Sequence, residues 1–457
     1  MGNKYSLDMT KGPFMKKILI FSIPLMLTGL LQLAYNTADV IVVGRFVGKE
    51  ALAAVGSTGS LVNLFLNVFL GLSMGSGVMV ARHIGENDDK AIHNCVHTSI
   101  LLGLVCGIIV GFLGFFASES MLRLMNAPDD VIDLASLYLK IYFLGSPGLL
   151  VYNFGASVVR STGDTKRPLY ILTFAGLINV ALNLVLVIKF NLGVSGVAIA
   201  TIVSQYISAA LILFFLSKMP NACRLKFGNL KINKTELKSI LRLGLPAGIQ
   251  NSLFSVSNVI IQSTVNSFGS VAMAGIAAGS NYDSYVYTCT NAVAQTTMTF
   301  SSQNMGARRY SNIGKVYRNC LIITTIIGVG MGALGCVFGN QIVGLFSDDA
   351  EVIAIGADRL LLIMPFYFLC SLMDVAASQI RGMGKSFEPM IVSLLGACGI
   401  RILWIYLVLP LNKTLTNLYW AYPVSWAITF FAQFIMYFIL KRKMKKQGIF
   451  DDECFAE

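Results

Sequence analysis

Arg160-Ser-Thr-Gly163-Asp-Thr-Lys-Arg-Pro168 returns 221 residues later as Arg381-Gly-Met-Gly384-Lys-Ser-Phe-Glu-Pro389. Both read Arg-x-x-Gly-x-x-x-x-Pro. The same offset carries Gly48 onto Gly269, Ala51 onto Ala272, Gly85 onto Gly306, Leu124 onto Leu345 and Val131 onto Val352. Ile23-Pro24 and Leu245-Pro246 match at an offset of 222. Each coincidence alone is weak, but one register held over most of both halves is an internal repeat. Within the motif, glycine suits a left-handed helix cap and proline suits the first turn of the next helix. Arg160 and Arg381 are expected at the cytoplasmic headgroup level, where a tight basic turn is the plain explanation for the motif. Gly384-Lys385-Ser386 resembles the end of a phosphate-binding loop. That loop needs glycine where this chain has Gln379, which excludes nucleotide binding.

The sequence around the repeats is oily. Of 457 residues, 55% are hydrophobic and 13% charged, with a mean hydropathy of +0.69. A bilayer helix needs about 20 mostly apolar residues. Twelve such runs lie near 18–44, 51–83, 91–116, 131–159, 169–188, 194–217, 240–268, 271–300, 316–338, 352–380, 390–409 and 418–440. Little chain is left for a soluble domain. The expected fold is all-α and polytopic, with twelve transmembrane helices in two six-helix bundles. Residues 14–217 form the N-terminal bundle, 218–239 a cytoplasmic linker and 240–441 the C-terminal bundle. Each half holds an even number of spans, so the halves are parallel repeats about an approximate two-fold axis along the membrane normal, with a cavity between them.

A net charge of +12 raises nucleic acid as a partner, but its distribution argues for topology instead. With the N-terminus inside, Lys and Arg split 27 to 6 between inner and outer segments, and Lys140 and Arg401 fall within spans. That asymmetry places both termini in the cytoplasm, and a plasma (inner) membrane location follows. Lys441 to Lys446 suits anionic headgroups. The first run begins after Lys16-Lys17 and is too long for a signal-peptide core. The nine cysteines are scattered, mostly within spans, and read as packing residues. Three histidines are too few for a His-rich metal centre.

Against this background Asp39 stands out, in Tyr35-Asn-Thr-Ala-Asp39-Val-Ile-Val-Val-Gly44. Thr28, Gln32, Asn36 and Asp39 are spaced 4, 4 and 3, one stripe along a helix. Facing lipid, each polar group would cost several kcal/mol, so the stripe faces the bundle interior or a wet cavity. Asp39 lies about 8 Å from the outer helix end at Gly44. Asn179 and Asn183, at i and i+4, and Thr201 fall at a similar depth, so all four can meet in one layer. Three readings stay open for Asp39: a packing carboxylate, a proton site, or a Na⁺ site of carboxylate, amide and hydroxyl oxygens.

The second half has a neutral stripe, Asn251, Ser255, Asn258, Gln262 and Asn266. Asp283, Asp374 and Arg401 lie at depth. By depth Arg401 is the expected partner of Asp283, leaving Asp374, at the repeat position of Asn153, as a net negative group. Asp374, with Asp283 second, would attract cationic drugs; the alternative is a buried ion pair plus a polar packing residue. Substrate contacts are read at Gln32, Tyr35, Asn36, Asn153, Asp283, Asp374 and Arg401. Tyr138, Met26 and Phe154 are further chamber candidates, although most aromatic and methionine side chains will be core or lipid-facing.

Several features together resemble the multidrug and toxic compound extrusion (MATE) family. These are two six-span bundles, Pro24 fifteen residues before Asp39, the Arg-x-x-Gly-Asp-Thr-Lys-Arg-Pro turn, and Asn179-x-x-x-Asn183. The resemblance covers roughly residues 14 to 441. It implies export of organic, often cationic, compounds in exchange for Na⁺ or H⁺, with no other cofactor and drug-like small molecules as partners. It also makes Asp39 the essential acid, Pro24 the helix-bend proline, Asn179 an amide ligand and Thr201 a hydroxyl ligand. Asp39 and Asn179 would be metal ligands if Na⁺ is the coupling ion. Many bacterial members carry a second aspartate where this chain has Asn183, and some carry a glutamate in the seventh span. Residues 243–268 contain no ionisable residue. The expected protein is a monomeric antiporter in contact with membrane lipids and not with nucleic acid. The alternatives are a flippase for lipid-linked precursors or, in a different class, a membrane-embedded enzyme. Against the latter, Ser, His and Asp groups share no common depth.

Overall fold

In the computed structural model, residues 7–124 and 129–448 are described, and among them every regular element is helical. Helices α1 Phe14–Phe46, α2 Lys49–Glu86 and α3 Asp89–Leu124 precede the pair α4 Asp129–Leu144 and α5 Ser146–Ser161. Next come α6 Lys166–Leu184 and α7 Gly193–Ser217. The second half holds α8 Lys234–Asn266, α9 Ser270–Gly306, α10 Tyr310–Val337, α11 Gly339–Gly344, α12 Ala350–Ile363 and α13 Tyr367–Gly382. It ends with α14 Phe387–Ser393, α15 Ile400–Leu403 and α16 Leu415–Lys446. Wider π turns extend α6 to Lys189 and join α14 to α15.

Read as continuous passages, these helices follow the twelve apolar runs. Among the described residues, nine are long and apolar enough to cross a membrane, or ten if the α4–α5 pair, bent by 46°, is one span. Helices α8 and α9 fall short in composition and not in length, at 33 and 37 residues. The Asn/Gln/Ser stripe dilutes α8, and Asn, Ser and Thr dilute α9. Large apolar side chains on the other helices, such as Phe112 and Phe116 on α3 and Ile326 and Val329 on α10, are exposed. In hydrocarbon that is the stable arrangement.

The repeat is visible in the backbone. Positive φ occurs at Gly48 and Gly269, at Asn87 and Arg308, and at Gly163 and Gly384, three pairs at the same 221-residue offset. Gly163 donates to Arg160 O at 2.9 Å and Gly384 to Arg381 O at 2.8 Å, so the motif builds the same cap twice. Pro168 and Pro389 lie in the first turns of α6 and α14, as expected.

Two compact units are present. Unit 1 comprises Met1–Asp8 and Leu27–Ser252; unit 2 comprises Met9–Met26 and Leu253–Glu457. Their boundaries fall inside α1, three residues after Pro24, and inside α8, seven residues after Pro246. In unit 2 the chain start is tied to α9 and α10. Met9 N donates to Gln303 Oε1 at 3.1 Å, Asn304 Nδ2 to Met9 O at 2.9 Å, and Arg309 Nη1 to Thr10 O at 2.8 Å. Phe21 packs edge-on against Phe300.

In unit 1, α2 and α8 meet backbone to backbone. A Cβ on Gly71 would fall 2.3 Å from Gly248 N, and one on Gly75 would fall 2.6 Å from Gly244 N. Gly71-x-x-x-Gly75 thus faces Gly244-x-x-x-Gly248, a small-residue seam of the kind that joins helices in membranes. The segment between α7 and α8 is docked in the same unit, with Met219, Cys223 and Leu225 buried. Lys226 N donates to His97 Nε2 at 3.1 Å and Asn233 N to Thr98 Oγ1 at 3.0 Å.

Candidate functional site

Helices α1, α6 and α7 bring the four expected residues of unit 1 together. Asn183 Nδ2 donates to Asp39 Oδ1 in a short hydrogen bond and to Asn179 Oδ1 at 3.2 Å. Asn179 Nδ2 donates to Thr201 Oγ1 at 3.4 Å, and Thr201 Oγ1 donates to Val197 O at 3.0 Å. The chain of contacts runs Asp39–Asn183–Asn179–Thr201. The i, i+4 spacing stacks the two amides on one face of α6, both nearly fully buried, and Asp39 is partly buried. No Lys or Arg forms an ion pair with Asp39 among the described residues. The Tyr138 and Tyr142 rings stack at 6.0 Å, both within electrostatic reach of Asp39.

Asn183 Oδ1 is buried with no hydrogen-bond partner. An orphan amide oxygen next to a carboxylate is costly, and it is one more hard oxygen in a set that already has carboxylate, amide and hydroxyl donors. The set fits a small hard cation or a proton equally well.

The other expected contacts divide. Gln32 and Asn36 share the Asp39 stripe and are exposed, whereas Thr28 on the same stripe is buried. Tyr35 turns toward α6, donating to Thr173 O at 3.2 Å with its ring against Gly176. Asn153 bonds back to Leu149 O on its own helix, and Phe154 is core, packed on Gly103. Met26 is half-buried at the end of the unit 2 segment of α1, and Pro24 is buried in that segment.

In unit 2 one expectation is corrected. The partner of Asp283 is Arg359, in a two-pronged ion pair with Nη1–Oδ1 at 3.2 Å and Nη2–Oδ2 at 2.5 Å. Arg401 instead donates from Nε to Ser425 Oγ at 3.0 Å and lies over the Tyr422 ring at 4.5 Å. Depth alone cannot tell which helix face an arginine occupies. Arg359, inside the apolar run 352–380, is 4% exposed within α12. Arg381, at the end of α13, is buried within electrostatic reach of Asp374, as is the Tyr287 hydroxyl. Unit 2 therefore holds Asp283 and Asp374 against three buried guanidiniums. His93 and His97, an i, i+4 pair, have rings 3.9 Å apart, but both His97 ring nitrogens face backbone groups. That pair does not supply two free ligands.

A family profile, MatE, matches this chain twice, over residues 24–185 and 246–407. The chain belongs to the MatE family. Both matched segments begin at the prolines of the repeat, Pro24 and Pro246. Two Bacillus subtilis proteins are similar over most of their length. The probable multidrug resistance protein YpnP is 30% identical over 85% of this chain and 87% of its own. The probable multidrug resistance protein YoeA is 27% identical over 95% and 96%. A solved MOP superfamily transporter from Pyrococcus furiosus, described as having a binding pocket of reverse polarity, shares the fold. Its TM-score is 0.89 at 22% identity, over 98% of this chain and 99% of that one. This MatE protein is a multi-pass membrane transporter, not an enzyme.

Proposed function

We propose that this MatE protein is a secondary antiporter that exports amphipathic organic cations in exchange for H⁺ or Na⁺ loaded at Asp39. The observation that carries the reading is the Asp39–Asn183–Asn179–Thr201 chain. It is a carboxylate held by the Asn183 amide and by no protein cation among the described residues, beside the orphan Asn183 oxygen. Such a charge is neutralised by whatever cation enters. With Asp39 ionised, Asn183 presents its N–H to the carboxylate. With Asp39 protonated or sharing a Na⁺, the flipped amide presents Oδ1 instead and the orphan gains a partner. Each loading state thus has its own hydrogen-bond arrangement.

The coupling follows from chain position. Pro24 removes a backbone hydrogen bond from α1, and the unit boundary lies three residues beyond it. Neutralising Asp39 repacks the outer part of α1 against α6 and α7, bends the helix near Pro24 and disfavours the drug-loaded state. Drug and ion then compete, and linkage makes the competition reciprocal. The Lys/Arg asymmetry supports cytoplasmic termini in a plasma membrane, and the protein works as a monomer. The names of the B. subtilis relatives support drug-like cargo.

A second reading for the cargo is favoured by the buried Arg359, Arg381 and Arg401, which outnumber the interior carboxylates Asp283 and Asp374. They suit an amphiphile with an acidic group. Vesicle transport under an imposed pH or Na⁺ gradient, one at a time, tests both. Gradient-driven uptake of a cationic dye that is lost in Asp39→Asn supports the antiporter. Uptake of an acidic dye alone shifts the cargo to the second reading, and unchanged uptake in the variant overturns the coupling.

A further inference from the structure

We propose that unit 1 carries a site for a borderline-soft divalent transition metal, such as Zn²⁺, built from His83 of α2, Cys95 of α3 and Glu236 of α8. The ligand atoms of these three residues all lie within 4.8 Å of one another. His83 Nε2 is 3.0 Å from Glu236 Oε2, and Cys95 is fully buried with its thiol within 4.8 Å of both. Ligands sharing one tetrahedral ion at about 2.0–2.3 Å sit roughly 3.3–3.8 Å apart. The nitrogen–oxygen pair, at 3.0 Å, opens by about 0.3 Å to admit the ion, and the sulfur needs a shift of about an ångström or less. Thiolate, imidazole and carboxylate together select Zn²⁺ and its neighbours over Mg²⁺ or Ca²⁺, and a water completes four-coordination.

The ring is also oriented as a ligand. His83 Nδ1 faces Glu86 Oε2 at 2.8 Å, and Glu86 is held in turn by Arg82 Nε at 3.2 Å. A carboxylate behind the distal nitrogen of a metal-binding histidine fixes its tautomer and raises its basicity. Binding replaces two protons, one from the Cys95 thiol and one from His83 Nε2, with one divalent ion, so the buried cluster keeps its net charge. That lowers the desolvation penalty that a lone cation would meet there.

The fold fixes this cluster from two directions. Facing pairs 71/248, 75/244 and 83/236 keep one antiparallel register, so the glycine seam, continued by two turns, sets His83 against Glu236. From the other side, Asn233 is anchored to Thr98 one turn from Cys95. It caps α8 by accepting from Thr235 N at 2.9 Å and Glu236 N at 3.3 Å. The ion would clamp the first turn of α8 to α2 and α3.

The test is a Co²⁺ and Zn²⁺ titration of the full-length protein in detergent. Expected are one ion per chain, a near-ultraviolet thiolate-to-cobalt band with tetrahedral visible bands, and release of two protons per ion. Cys95→Ser should abolish the thiolate band while Cys398→Ser leaves it intact. Glu86→Gln, at an exposed position outside the ligand set, should weaken binding about 10- to 100-fold. A wild-type protein without the thiolate band overturns the site, as does a band that survives Cys95→Ser. If Cys95→Ser does not fold, Glu236→Gln takes its place, and unchanged affinity in that variant is equally decisive.

Discussion

Alanine at Gly71 should destabilise the protein, although alanine is the better helix former. Its Cβ would lie 2.3 Å from Gly248 N, 2.4 Å from Gly248 Cα and 2.8 Å from Gly244 O. Restoring an ordinary contact of about 3.5 Å moves the two backbones apart by roughly 1.1 Å, because no side chain can rotate away. Overpacking of this kind costs about 1–3 kcal/mol. Replacing a helical glycine returns at most about 1 kcal/mol. With that return in full, the net expectation is a loss of up to roughly 2 kcal/mol. Gly59, on the same helix, has nothing within 4 Å of its Cβ position, so Gly59→Ala should gain about 0.5–1 kcal/mol. The two substitutions are chemically identical and carry opposite signs. Thermal melting of the detergent-solubilised protein, with wild type alongside, reads both. A Gly71→Ala protein as stable as wild type would refute the close approach of α2 and α8. The same 1 Å displacement should also lengthen the 3.0 Å contact between His83 and Glu236 and weaken Co²⁺ binding.

The Asp283–Arg359 pair predicts strong non-additivity. Asp283→Leu or Arg359→Met alone should cost about 3–5 kcal/mol by leaving one charge buried, and the double variant should recover most of it. Melting temperatures in a double-mutant cycle check this, and additive losses contradict the pairing. Thr201→Val keeps the shape and removes the last hydroxyl of the Asp39 chain. Ion-dependent transport should weaken at least several-fold while substrate binding in the absence of the ion is retained, as flux and binding measured side by side will show. Asn304→Ala removes bonds to both Met9 O and Phe300 O and should cost about 1–3 kcal/mol. Limited proteolysis near residue 10 should then become faster; an unchanged cleavage rate would show that the chain start is not held there.

Much of this was legible in the sequence because membrane helices report themselves by length and apolarity. The repeat gave the caps, since only a few residue types take positive φ easily, and Gly163 and Gly384 do so at matching places. The Asp39 layer was legible for the same reason: helical rise converts sequence position into depth, and Asn179, Asn183 and Thr201 are found together as depth requires. Azimuth is what the sequence withholds. Depth pointed Asp283 to Arg401, but the facing helix was α12, which carries Arg359 with its guanidinium turned inward. The thin hydropathy of α8 and α9 has a related cause, since helices facing a wet or polar interior need less oil than helices facing lipid. The His83–Cys95–Glu236 cluster joins three helices far apart in sequence, and no spacing rule links them. Gly71-x-x-x-Gly75 and Gly244-x-x-x-Gly248 carry the meeting of α2 and α8, but a small-residue pair does not name its partner helix.

The central claim is that the Asp39 carboxylate is where ion and drug compete. Drug affinity of the purified protein, measured across pH and across Na⁺ concentration, tests it most directly. Wild type should lose affinity as protons or Na⁺ load the site, and Asp39→Asn should bind drug with an affinity indifferent to both. The same pH or Na⁺ dependence in the asparagine variant would contradict the account.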